Sequence, residues 1–334
     1  MNKYFLMCFL LVCGCASQYT TAGKVYIQQG EYDKAAEQFE LQLKQIPTDA
    51  DAWWWLGMAY TYQKKYEDAC NSIDKAKEIA PDKPDFKNQK PFLWSLYYSA
   101  GVEAHQNENW GLAEKRFKQA IEFEPDSSQA YMNLAIVYSQ QEKGDTAIVY
   151  YKKVMELDPK NIDAYKDLSA VYIKEKAYDA AITCFKQAYD AGIRDADLLY
   201  RWGIAYYLKE DYPNAELTFK EAISSDSMLA DAYFNLGAAL VKQEKYDEAI
   251  SVLNRTVELN PKDVEALTHL AGTCIVTKKY ELAVETYSRI ISIEPTKREA
   301  FEGRANAYWK LGKKTEAEND LKIAEELAKK EGGK

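Results

Sequence analysis

The chain has 334 residues, 47% hydrophobic and 28% charged, with 43 basic against 52 acidic side chains and a net charge of −9. That balance argues against nucleic acid or anionic lipid headgroups as the main partner, because both call for net positive surface. Only two histidines occur, His105 and His269. No glycine-rich phosphate loop, nucleophile motif or cysteine pair at metal spacing accompanies them, so the residues point to no enzyme, no cofactor and no metal site.

The first residues read as a leader. Asn2 and Lys3 are followed by an apolar run from Tyr4 to Val12, too short for a bilayer, which takes roughly 20 helical residues, but suited to a signal-peptide core. The run closes as Val12-Cys13-Gly14-Cys15-Ala16-Ser17. This resembles the bacterial lipobox and implies cleavage after residue 14 and lipidation, palmitate included, on Cys15. The bland reading is an ordinary secretory signal that happens to contain cysteines. Loss of Lys3 with the leader would leave the balance one unit more acidic, so a buried lipid chain, not charge, would hold the protein at a membrane.

After the leader one unit recurs. Alanine returns as Ala35, Ala69, Ala113, Ala147, Ala181, Ala215, Ala249, Ala283 and Ala317, at steps of 34 residues except for one step of 44. The clearest copy is Trp53 to Pro81, with Trp53, Leu56, Gly57 and Tyr60 on one helix, then Ala69, Ile73, Ala76 and Pro81. Two amphipathic helices joined by a tight turn at Lys64–Lys65 must bury one stripe on each other and another on a neighbouring pair. Residues 15–331 thus divide into nine units beginning near 16, 50, 94, 128, 162, 196, 230, 264 and 298, followed by a tail at 332–334.

The pattern W-x2-L-G-x2-Y, then A-x3-F and P, resembles the tetratricopeptide repeat. The fold this resemblance implies is all-α, a solenoid of nine helix hairpins wound as a right-handed superhelix. Closing prolines stand at Pro47, Pro81, Pro125, Pro159, Pro261 and Pro295; Pro213 falls in a first helical turn, where its missing N–H is harmless. Arg304 replaces the usual leucine of the ninth unit, a departure expected of an end-capping repeat. The ten extra residues of the long step, at about 82–93, are polar and proline-punctuated and read as a surface loop, either inert or carrying Phe86 to a partner. Cys70, Cys184 and Cys274 lie about three repeats apart and read as small core residues, not as a disulfide framework.

The resemblance also implies binding of a protein or peptide in a groove lined by the first helices, at positions 2, 5, 6, 9, 12 and 13 of each repeat. Those positions carry Trp54, Trp55, Met58 and Tyr62, then Tyr98, Met132 and Asn133, and further on Tyr200, Tyr207 and Asn235. Trp53, Trp54 and Trp55 are about 100° apart and cannot share one core. Trp53 is the signature core residue, which leaves Trp54 and Trp55 for the groove or for the first repeat. Asn133 and Asn235 occupy position 6, where related arrays bond an extended backbone. Acidic residues at position 2, such as Asp51 and Asp197, read as first-turn carboxylates serving free N–H groups and the helix dipole. The lysine and asparagine pattern of a chaperone carboxylate clamp is not met.

The sequence therefore reads as a lipid-anchored scaffold of the bacterial cell envelope, at the outer membrane facing the periplasm, of the kind found among pilus-secretin, barrel-assembly and export lipoproteins. Two other readings stay open: a glycan- or peptidoglycan-binding module stacking sugars on Trp54, Trp55, Tyr62 and Tyr98, and a homo-oligomer in which the aromatics form a seam.

Overall fold

A computed structural model describes residues 17–331, which contain helices and turns and no strand. The leader, Cys15 and the tail at 332–334 lie outside the described residues. The chain divides into two compact units, up to Asp158 and from Pro159 onward.

The first unit holds four helix hairpins: α1 (Gln18–Gln29) with α2 (Tyr32–Gln45), α3 (Ala50–Tyr62) with α4 (Tyr66–Ile79), α6 (Lys90–Gln106) with α7 (Trp110–Phe123), and α8 (Ser128–Gln140) with α9 (Gly144–Leu157). A one-turn helix, α5 (Asp85–Asn88), stands between the second and third. The second unit holds five: α10 (Ile162–Lys174) with α11 (Tyr178–Asp190), α12 (Ala196–Leu208) with α13 (Tyr212–Ser225), α14 (Ala230–Lys242) with α15 (Tyr246–Leu259), α16 (Val264–Val276) with α17 (Tyr280–Ile293), and α18 (Arg298–Lys310) with α19 (Lys314–Glu331). Within each unit, every hairpin packs its second helix on the first helix of the next hairpin.

Local chemistry explains why each hairpin turns where it does. Asp49, Ser127, Asn161, Asp195 and Asp263 cap the first helices, each side chain accepting from a first-turn backbone N–H. At the other end one residue takes a left-handed conformation: Gly30, Lys64, Glu108, Glu142, Lys176, Glu210, Glu244, Lys278 and Gly312. The next N–H then reaches back five residues, as Lys65 N–H does to the Tyr60 carbonyl at 2.9 Å, closing a Schellman turn. In five hairpins a glycine closes the inner side: a Cβ on Gly203 would stand 2.5 Å from the Phe219 ring, and one on Gly57 would stand 2.7 Å from Ile73.

Two features depart from the regular hairpin. The ten extra residues do not form a loose surface loop. They make α5 and lengthen α6 to 17 residues where the other first helices from α3 onward have 13. Phe86, on α5, is buried at 6% exposure, because it closes the gap between α3 and α6, which make scarcely any direct contact. In the last hairpin, Arg304 forms a two-point pair with the buried Asp320 at 2.7 and 2.8 Å and bonds Ser288 at 2.9 Å, so an ion pair replaces the leucine contact.

Candidate functional site on the first-helix face

Residues three and four apart on a helix share a face, and Asp51, Trp54, Trp55, Met58 and Tyr62 accordingly form one stripe on α3. Trp54, however, is not a free groove residue. It is 2% exposed, because Phe86 meets its ring edge-on at 5.3 Å and Phe92 packs at 6.1 Å. It faces the third repeat and the inserted segment, not the first repeat. Trp53 is the less buried of the two and donates its indole N–H to the Pro47 carbonyl at 2.8 Å. Trp55 is half-buried under the ammonium of Lys24, 5.0 Å from its ring centroid. Tyr62 is exposed but stacks flat on Tyr32, centroids 4.8 Å apart. Three aromatics at this end are thus covered or paired, and the aromatic platform that sugar stacking would use is not assembled from them.

Asp51 does not serve its own helix end, which Asp49 caps. Its carboxylate instead accepts from Lys24 at 2.7 Å and Lys83 at 2.9 Å. Burial opposes its charge, but the two lysines outweigh that and draw its pKa below the usual aspartate value. Asp197 repeats the arrangement in the second unit, held by Lys166 at 3.0 Å and Arg201 at 3.0 Å.

The best-formed polar feature of this face occurs twice. Asn133 Nδ2 donates to the Tyr98 hydroxyl at 2.9 Å and to the Gln129 carbonyl at 3.0 Å. In the second unit Asn235 Nδ2 donates to the Tyr200 hydroxyl at 3.2 Å and to the Asp231 carbonyl at 2.9 Å. The carbonyl accepts only, which fixes the amide with its nitrogen inward. Each pair therefore turns outward one amide oxygen and one phenolic proton, neither bonded within the described residues. An acceptor beside a donor is what one unit of an extended peptide backbone requires. Tyr98 is steadied by stacking on Trp94 at 5.0 Å, and it walls a cavity of about 360 Å³ with Tyr66, Ser99, Val102, Glu103 and Gln106. Met58 and Met132 are half-buried on the same face of their helices, and Tyr207 packs edge-on to Tyr212 at 5.5 Å.

Across the hairpins from this face lies a feature the repeat pattern did not reveal. Arg116 is fully buried, and all five of its N–H donors are used. Glu67 takes two bonds at 2.9 and 2.6 Å, Asn71 one at 2.8 Å, Asp74 one at 2.7 Å and Gln119 one at 2.8 Å. Tyr97 donates to Asp74 at 2.6 Å. The network joins α4 to α7 at the joint where α3 and α6 part. Burial opposes the guanidinium charge, but the carboxylates of Glu67 and Asp74 outweigh it and hold its pKa above the ordinary value. Cys70, Cys184 and Cys274 are buried and form no disulfide among the described residues, and burial pushes the Cys274 thiol up to about 11. Among the described residues no group of histidine, cysteine or carboxylate side chains is placed to hold a metal ion, and no helix is long and apolar enough to cross a membrane.

The repeated hairpin, its shared turn and the side-by-side first helices define a helical-repeat protein of the α-solenoid class. Models of the tetratricopeptide repeat match residues 17–49, 139–192 and 172–230. The TPR domain of cytochrome c-type biogenesis protein H matches 37–165, and subunit 3 of the anaphase-promoting complex (cyclosome) matches 209–290. The chain is a tetratricopeptide repeat protein. Among curated proteins it is similar to the mouse BBSome complex member BBS4, 26% identical over 121 residues, which are 36% of this chain and 21% of that one. The match therefore spans about a fifth of that relative's length. Among solved structures, YrrB, described as a TPR protein with an unusual peptide-binding site, is 27% identical over 55% of this chain and 95% of its own, with a TM-score of 0.49. A tetratricopeptide repeat protein from Parabacteroides merdae is 18% identical over 70% of this chain and 93% of its own, with a TM-score of 0.50. The fold is one of protein-interaction scaffolds.

Proposed function

We propose that the chain is a non-enzymatic scaffold of the bacterial cell envelope, anchored through lipid on Cys15, that holds an extended segment of a protein partner along its first-helix face. The observation that carries the binding reading is the repeated Tyr98–Asn133 and Tyr200–Asn235 pair, each offering a donor and an acceptor outward. The cavity beside Tyr98 gives one partner side chain a place next to the first pair. The anchor rests on the lipobox-like residues up to Cys15, and Ala16 and Ser17 after it resemble outer-membrane sorting, which supports placement at the outer membrane facing the periplasm and a role in assembling an envelope complex.

Two experiments test the reading. Metabolic labelling with palmitate should mark the full-length protein and fail on Cys15→Ser; equal labelling of both would remove the anchor. A photocrosslinking residue in place of Gln106, at the rim of the cavity, should give one discrete heterologous adduct in cells. Self-adducts alone would instead favour the homo-oligomer.

A further inference from the structure

The inserted segment packs on the α3 end of this face. It occurs at one joint of the chain, and of its residues from Asp82 to Gln89 Phe86 is the one whose side chain is buried. Phe86 lies on Trp54, and Lys83, three residues earlier, bonds Asp51 at 2.9 Å and its own neighbour Asp85 at 2.8 Å. Asp51 and Trp54 are themselves three residues apart on α3, so carboxylate and ring stand one above the other on one stripe. The helix that carries Phe86 is a single turn, too short to hold itself, and Pro81, Pro84 and Pro91 punctuate the segment. It is fastened to this face by one ring and one partly exposed ion pair, a hold that a single foreign segment of the same chemistry matches.

We propose that Asp51 and Trp54 form a subsite for a basic residue followed three positions later by an aromatic one, and that residues 81–89 are the chain's own occupant of it, displaced by a partner segment of that type. The proposal rests on the first-helix face being the peptide-binding surface. Displacement would uncover the part of Trp54 that Phe86 covers, with Phe92 of α6 still on the ring, and would leave Asp51 with Lys24. A site that its own tether leaves free a tenth of the time binds an outside ligand about tenfold more weakly, so the segment would act as a threshold for entry.

The probe is a fluorescein-labelled synthetic peptide of residues 81–90, added to the full-length protein. It is expected to bind Phe86→Ala about tenfold more tightly than wild type, and to lose that gain when Asp51→Asn is added or when the peptide's own phenylalanine is replaced by alanine. Equal binding to wild type and Phe86→Ala, or none to either, overturns the proposal. Lys83→Ala provides a second measure that leaves every buried ring in place: amide exchange at Phe86 to Gln89 should quicken about tenfold, and unchanged exchange counts against a displaceable segment. If a partner crosslinks at position 106 in equal yield from wild type and Phe86→Ala, the threshold is overturned while the binding face stands. Entry of the peptide into Phe86→Ala without any cellular adduct at 106 supports the subsite and removes the broader reading.

Discussion

Replacing Arg116 by alanine removes a fully buried guanidinium, leaving Glu67 without it and Asp74 with only the longer pair to Lys115 at 3.6 Å. Breaking a buried, hydrogen-bonded ion pair from one side costs about 3–5 kcal/mol. The carboxylate side chains are 38% and 26% exposed, so they can recover water, and the expected loss falls at about 3 kcal/mol, the lower end of that range. Arg116→Lys keeps a charge but has three donors and no planar fork, so at least two of five bonds go, with a loss of about 2 kcal/mol. Urea titration of the full chain measures the sum. Amide exchange in α4 and α7 locates it, which matters because a repeat array need not unfold as one unit. Exchange should quicken in those helices more than in α1 and α2. A midpoint unchanged for Arg116→Ala, equivalent to less than about 0.5 kcal/mol, would refute the claim that this network ties the joint widened by the insertion.

Other perturbations test other parts of the account. Gly203→Ala forces a Cβ into the buried Phe219 ring and should lower stability by about 1–3 kcal/mol, read as an earlier urea transition in the second unit. Glu216 is nearly buried; burial opposes its charge, but Lys220, Lys245 and Gln243 bond it and bring its pKa down from 4.5 to about 2. A carboxyl lowered by folding contributes stability above its unfolded value and loses it as pH falls through the folded one. The wild type should therefore lose stability between about pH 4.5 and 2, and Glu216→Gln should be weaker by about 2 kcal/mol at pH 7 and flatter over that range. A parallel acid limb in both would count against the network.

The hairpins were legible because each enforces its own period: the alanine every 34 residues, the glycine facing it and the caps are local requirements. The site was legible in part. Asn133, Asn235, Tyr98 and Tyr200 could all be placed by register, but not their pairing, since each tyrosine lies in the hairpin before its asparagine. Trp54 was misjudged because its cover comes from the insertion, whose Phe86 has no place in the repeat pattern. Arg116 was missed, although it stands where the other repeats carry Gln38, Ser72, Tyr150, Cys184, Thr218, Val252, Thr286 and Asp320. A lone arginine at that register, above the carboxylates of the preceding second helix, was the available signal.

The central claim is that the partner lies along the first helices. Photocrosslinking residues at Gln106, on that face, and at Val149, 63% exposed on a second helix, compare the two sides in the native host. The expected result is a discrete adduct from 106 that weakens about fivefold when Asn133→Ala removes the paired amide, a loss of about 1 kcal/mol, with none from 149. An adduct from 149 and none from 106 would contradict the claim.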